Sequence, residues 1–401
     1  MLDGGKLKPL GELVRIASGQ VDPKDAEIAR NLSIGPDNLR SGGGLEKTGL
    51  KTAGELEQIS GKYAFDRNAI LYSKIRPNLN KIALVDFDGI CSADMYPIWV
   101  RDDRQAVREF IFYVMNSERF VADATSRSFR TGLPKINRPD LESIEVPLPP
   151  LPEQRKIAEI LRTWDEAIEK LEALRAANLQ RRIWMRTHLF TGRTRLPGYT
   201  GEWREVALGE VLTEHGLQGT GAEEVFSVSV HKGLINQIEH LGRSFAAADT
   251  GHYNRVLPGD IVYTKSPTGD FPLGIIKQSK ISQEVIVSPL YGVFTPATRA
   301  LGVILDALFE SPVAVRNYLH PLVQKGAKNT IAITNRRFLE GKLLLPKDPA
   351  EQSAIAEVVE TSQAELTAIE AEIGLLTRQK RGLMQKLLTG EWRVKVEGSG
   401  A

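Results

Sequence analysis

The chain has 401 residues, 42% hydrophobic and 25% charged, with a formal net charge of +2. That length exceeds what one hydrophobic core fills and suits two or more domains, and the composition is ordinary for a soluble globular protein. The near-neutral balance excludes a uniformly basic nucleic-acid binder but leaves local basic patches open. A single cysteine, Cys91, excludes an intramolecular disulfide and fits a reducing cytoplasm. No apolar stretch approaches the ~20 residues of a membrane span, and Met1-Leu2-Asp3 does not open a signal peptide. No membrane association is therefore expected.

In chain order, the first segment, 1–150, mixes short strands with turns. Strands are predicted at 69–73, 81–86, 90–91 and 96–100, with the Asp88-Gly89 turn between them. Helical spacing runs from Arg108 to Val121. A polar, basic loop follows at 126–134, and a strand from Leu141 to Val146 is expected to close the globule. Residues 147–152 are proline-rich, stiff and extended. The second segment, 151–192, is a predicted long helix running from Glu153 to Thr191, at ~1.5 Å per residue roughly 57 Å. Its seam is Ile157, Leu161, Trp164, Ile168 and Leu171.

The third segment, 193–348, repeats the order of the first. Leu10-Gly11-Glu12 returns as Leu208-Gly209-Glu210, an offset of 198. Residues 65–74, ending Tyr72-Ser73-Lys74, match 256–265, ending Tyr263-Thr264-Lys265. Ile136-Asn137-Arg138 is matched with Thr334-Asn335-Arg336. Tyr72 and Tyr263 lie in apolar runs and are expected in the core. The fourth segment, 349–390, opens with Glu351-Gln352, again 198 residues after Glu153-Gln154. It carries a second heptad seam: Ile355, Val359, Leu366, Ile369, Ile373 and Leu376. Residues 391–401 read as a flexible tail. Two helices of equal length and spacing are expected to pack on each other, antiparallel, as a coiled coil between two mixed α/β globules. The opposing reading is two surface helices, each packed on its own domain.

Catalytic signatures are missing. The six histidines show no metal-ligand spacing, and no phosphate loop or Gly-rich nucleotide turn occurs. No catalytic, cofactor or metal residue is assigned. The basic residues of the repeated polar loops are candidate contacts for DNA, the partner that the family resemblance given next implies. In the first globule these are Lys74, Arg76, Arg127, Arg130, Lys135 and Arg138. In the second they are Lys265, Lys325, Lys328, Asn329, Arg336 and Arg337. Arginine can read guanine, asparagine adenine, and lysine usually meets phosphate. Taken singly, each is as readily a solvated surface charge.

The run Pro147–Leu161 with Leu189-Phe190-Thr191-Gly192 resembles the central region of specificity subunits from type I restriction-modification systems. Ala350–Val359 with Leu383–Gly390 is similar to the matching C-terminal region. One departure is 345–350, which lacks the fuller proline run. The resemblance implies two target recognition domains, each reading one half of an asymmetric split site in double-stranded DNA. It also implies a non-catalytic chain whose helices carry two methylation subunits, joined by restriction subunits. S-adenosylmethionine, ATP and Mg²⁺ would then belong to those partners. Alternatives are a recognition subunit serving a fused methylase-nuclease and a coiled-coil scaffold that binds no DNA.

Overall fold

In the computed structural model, residues 6–128, 133–241, 250–325 and 331–395 are described. They form two compact units. One comprises 1–172 with 372–401, the other 173–371. The division differs from the segments read in the sequence, because each unit takes one globule and part of each long helix. A helix of about 40 residues outruns any single globule of this size.

The first globule closes on itself. Strand Lys6–Pro9 pairs antiparallel with Glu145–Leu148, bringing its two ends together. A four-stranded antiparallel sheet follows the order Val14–Ile16, Met95–Val100, Ile70–Ser73, Ile82–Leu84. A second sheet joins Ser33–Ile34, Gly89–Ser92 and Lys62–Phe65. The expected single helix at 108–121 is two, Arg108–Met115 and Glu118–Ser126, because the Ser117 hydroxyl caps the second by accepting the Phe120 N–H. The strand expected from Leu141 begins only at Glu145. Residues Arg138–Glu142 are a short helix capped by the Asn137 side chain.

The second globule repeats this plan within its own unit. Trp203–Ala207 pairs with Lys342–Pro346. Its four-stranded sheet has the order Leu212–Glu214, Gly292–Pro296, Ile261–Tyr263, Ile276–Gln278. Helices Arg299–Phe309 and Pro312–Leu319 correspond to the earlier pair. Tyr72 and Tyr263 are each 1% exposed, in the core as expected. Tyr72 lies opposite Tyr96 and Tyr263 opposite Gly292, which fixes the register between the copies.

The long helices are Leu151–His188 and Pro349–Leu388. In the first unit they run antiparallel. Asp165 is bound by Lys380, and Glu153 by Arg393, which lies just past the second helix in the stretch expected to be a flexible tail, so rising numbers on the first helix meet falling numbers along the second stretch. Inside the second unit the same sense holds, with Arg181 on Glu365 and Arg182 on Gln363. Mutual pairing and docking on a globule therefore both occur. Ile157 and Leu161 enter the first core with Met384, Leu387 and Leu388, while Ile355 enters the second with Met185, Leu189 and Phe190. Along the remaining seam, Leu366 and Ile369 are buried, and Trp164, Ile168, Leu171, Val359, Ile373 and Leu376 are half-buried. Gly192 and Gly390 end the helices at φ +66° and +70°, each donating its N–H back to a leucine carbonyl, Leu189 and Leu387, at 3.2 Å. Their positive φ is why glycine closes both helices.

Candidate nucleic-acid interface

In the first globule, strand Ile70–Ser73 runs into Lys74 and then turns sharply. Arg76 and Asn80 both take left-handed backbone, φ +48° and +44°. The turn is clamped. Lys74 N–H donates to the Asp94 carbonyl at 3.0 Å, Ile136 N–H to the Lys74 carbonyl at 2.9 Å, and Arg76 N–H to the Pro134 carbonyl at 2.8 Å. These bonds gather Lys74, Arg76 and Lys135 from distant parts of the sequence. Lys135 Nζ lies 3.4 Å from Asp94 Oδ1. The Lys74 ammonium lies 5.1 Å from the Tyr96 ring centroid and the Arg138 guanidinium 5.9 Å from it. Arg138 also donates to the Ala17 carbonyl. Arg76 is exposed. Arg127 is tied elsewhere, donating to Ser143 Oγ at 2.9 Å. Arg130 lies outside the described residues.

Burial pushes the Lys74 ammonium below the usual lysine range, and the neighbouring Lys135 adds to the shift. Lys265, its counterpart, is lowered by burial, with Glu214 opposing. A lysine depressed in the fold costs stability wherever the unfolded chain holds the proton more tightly. Stability should therefore rise as pH climbs from the folded pKa toward the unfolded value of about 10.4. Lys74→Met is expected to raise the melting temperature near neutral pH and to reduce that alkaline rise. A lower melting temperature would contradict the desolvation argument.

The second globule fills the equivalent positions differently. Lys265 has φ +59°, and Gly274 packs so closely that a Cβ there would come within 2.9 Å of the Lys265 nitrogen. Glu214 lies near Lys265, and Asn335 Nδ2 donates to Glu214 Oε1. Arg336 and Arg337 do not join this group, since both turn back onto Glu340 of their own helix, Asn335–Glu340. Lys325 ends strand Gln324–Lys325, but its side chain, like Lys328 and Asn329, lies outside the described residues.

The alignment of Asn137 with Asn335 is corrected by one residue. Asn137 caps its helix by accepting the Asp140 N–H, and Thr334 caps the corresponding helix by accepting the Arg337 N–H. Four residues after the cap lie Leu141 and Phe338, both 0% exposed. Thr334 thus stands for Asn137, and Asn335 for Arg138. Capping chemistry decides the register, and Ser, Thr, Asn and Asp exchange freely there. With the strand registers, the equivalent positions become Ile16 and Glu214, Asp94 and Leu290, Tyr96 and Gly292, Arg138 and Asn335. Glu214, Asp94 and Tyr96 are not cations, so a search for basic loop residues does not find them. The signal was a carboxylate at the 198 offset from an apolar strand residue.

One constellation resembles a catalytic triad and is not one. His215 Nε2 donates to Asp260 at 2.9 Å while its Nδ1 accepts the Leu217 N–H, and Thr295 Oγ1 donates to the other Asp260 oxygen at 2.7 Å. The carboxylate is central, so the imidazole cannot take the threonine proton. Burial raises the Cys91 thiol pKa to about 12, which leaves no thiolate near neutral pH. Among the described residues no group of three potential metal ligands occurs, and no helix is long and apolar enough to cross a membrane.

Residues 4–178 match the family model described as "Type I restriction modification DNA specificity domain". The chain is 40% identical over 162 residues to the EcoDI specificity subunit of Escherichia coli, a match covering 40% of this chain and 35% of that one. It thus spans about a third of that relative's length. Identity to the MjaVIII specificity subunit of Methanocaldococcus jannaschii is 23% over 321 residues, covering 71% and 70% of the two chains. The fold is shared with a solved type I restriction-modification S subunit from M. genitalium, at TM-score 0.60 and 16% identity over 96% of both chains. It is shared also with a chain from a solved type I restriction-modification system, at TM-score 0.55 and 19% identity, covering 98% and 100%. With its two mixed α/β globules, paired long helices and internal repeat, the chain shares the fold of the M. genitalium S subunit, and its residues 4–178 are similar to a type I restriction modification DNA specificity domain.

Proposed function

We propose that this chain reads a split, asymmetric DNA target, one half-site per globule, and does no chemistry itself. The observation that carries this is the repeated framework with different side chains at equivalent positions. Asp94, Tyr96 and Arg138 in one copy stand where Leu290, Gly292 and Asn335 stand in the other. Framework identity keeps the geometry, and side-chain change alters the donor and acceptor pattern offered to base edges. The long helices dock the methylation subunits. Leu174, Leu179, Ile183 and Trp184 remain between 42% and 49% exposed on the first helix, an apolar surface suited to a protein partner. Restriction subunits join that assembly in the cytoplasm. S-adenosylmethionine, ATP and Mg²⁺ act on the partners.

The test is to express the chain with its own methylation subunit and to sequence the modified DNA. A split motif with unlike halves is expected. A contiguous motif, or no modification at all, would sink the reading. Arg76→Ala sharpens it, because Arg76 is exposed on a clamped left-handed turn. If it reads a base, about 1–3 kcal/mol of discrimination should vanish at one position of the first half-site. Uniform weakening with a shallower salt slope would make Arg76 a phosphate contact instead.

A further inference from the structure

Strand Leu212–Glu214 lies at the edge of its sheet, with Glu214 opposite Phe294. In the first globule the same position is Ile16, opposite Ile98 and 4% exposed. An exposed carboxylate has therefore replaced a core residue. It is held in place. Asn335 Nδ2 donates to Glu214 Oε1, and Asn335 Oδ1 is buried without a hydrogen-bond partner among the described residues. Turning the amide over would set Oδ1 against the carboxylate, so its orientation is fixed. Gly292 leaves the room this requires, because a Cβ there would come within 2.9 Å of Asn335 Oδ1. With its oxygen buried, Asn335 cannot offer the paired donor and acceptor that reads adenine. It is a positioning residue for Glu214.

From this geometry, and resting on the DNA-reading function proposed above, we propose that Glu214 determines one base of the second half-site by accepting a hydrogen bond from an exocyclic amino group, cytosine N4 or adenine N6. An ionised carboxylate only accepts. Phosphates repel it, and guanine O6 and N7 or thymine O4 offer it no proton in the major groove. Cytosine and adenine alone present a donor there. The neighbouring Lys265 cation offsets the repulsion that Glu214 would feel from the DNA backbone. The first globule, with Ile16 buried at this position, has no such reader, so the two halves should differ here.

The experiment compares the methylated motifs of wild type, Glu214→Ala and Glu214→Gln, each assembled with the methylation subunit. Glu214→Ala should lose about tenfold in preference at one position of the second half-site, where wild type requires cytosine or adenine on one strand. The identity of the relaxed base says which amine is read. The first half-site, read at full strength in the same molecules, shows that the variant is folded. In Glu214→Gln the side-chain oxygen can still accept from Asn335, which turns the new amide nitrogen toward the base. Preference at that position should move toward guanine or thymine. An unchanged motif in Glu214→Ala, or even loss across the whole second half-site, would overturn the assignment of Glu214 while leaving the split-site function intact. A wild-type assembly that marks no split motif would remove both.

Discussion

Arg195→Ala is expected to destabilise the second unit by about 3–5 kcal/mol, the cost of leaving a buried charge without its partner. The Glu351 carboxylate is 1% exposed and receives Arg195 Nε and Nη2 at 2.6 Å each, with Trp203 Nε1 at 3.3 Å. Without the guanidinium one indole N–H remains, and water has little access. Glu351 sits in the first turn of helix Pro349–Leu388, where the helix dipole helps hold the negative charge but cannot replace a bidentate arginine. The first unit has the equivalent pair, Glu153 with Arg393, at the same 198 offset. There the arginine side chain is 49% exposed, so water can enter when it is removed. Arg393→Ala should therefore cost clearly less, about 1–3 kcal/mol. Urea unfolding of the two variants measures the difference. Equal losses would show that burial of the pair does not set its value.

Phe338→Ala is expected to cost about 3–5 kcal/mol by opening a cavity in the second core. The ring is fully buried, with centroids of Tyr263, Phe294 and Tyr318 at 4.8, 4.9 and 5.6 Å. Its carbonyl also accepts the Tyr318 hydroxyl. Phe338 N–H closes the first turn of its helix on the Thr334 carbonyl, and the next residue after Thr334 is Asn335. Loosening this anchor should loosen the hold on Glu214. The variant is expected to lose stability in urea and to broaden the second half-site while the first stays sharp. A broadened first half-site would disprove this local coupling.

Much of the framework was legible in the sequence because it is encoded locally. The 4,3 spacing of Ile157, Leu161, Trp164 and Ile168 specifies a helix whatever surrounds it. Glycine at 192 and 390 stops both helices because few other residues tolerate φ near +70°. Tyr72 and Tyr263 were placed in the core by the apolar runs that hold them. Less of the candidate site could be read. Arg336 and Arg337 look like free cations in sequence, yet Glu340, three and four residues away, takes both. Lys74 resembles a surface lysine, but Tyr96, from a neighbouring strand, covers it.

The duplication, the two helices and the mixed α/β class follow from the chain alone, since repeat spacing and periodicity are local properties. Tertiary structure decided which side chains face one another at the recognition surface. It moved Asn335 into the place of Arg138, because helix caps rather than residue names set the alignment. It also brought Glu214, Lys265, Gly292 and Asn335 together from four separate stretches of chain. Such neighbours depend on strand register and long-range pairing, which no local pattern encodes. The helix seams divide the same way. Their period is written in the sequence, whereas the docking of Ile157 and Ile355 into globular cores became visible only in the fold.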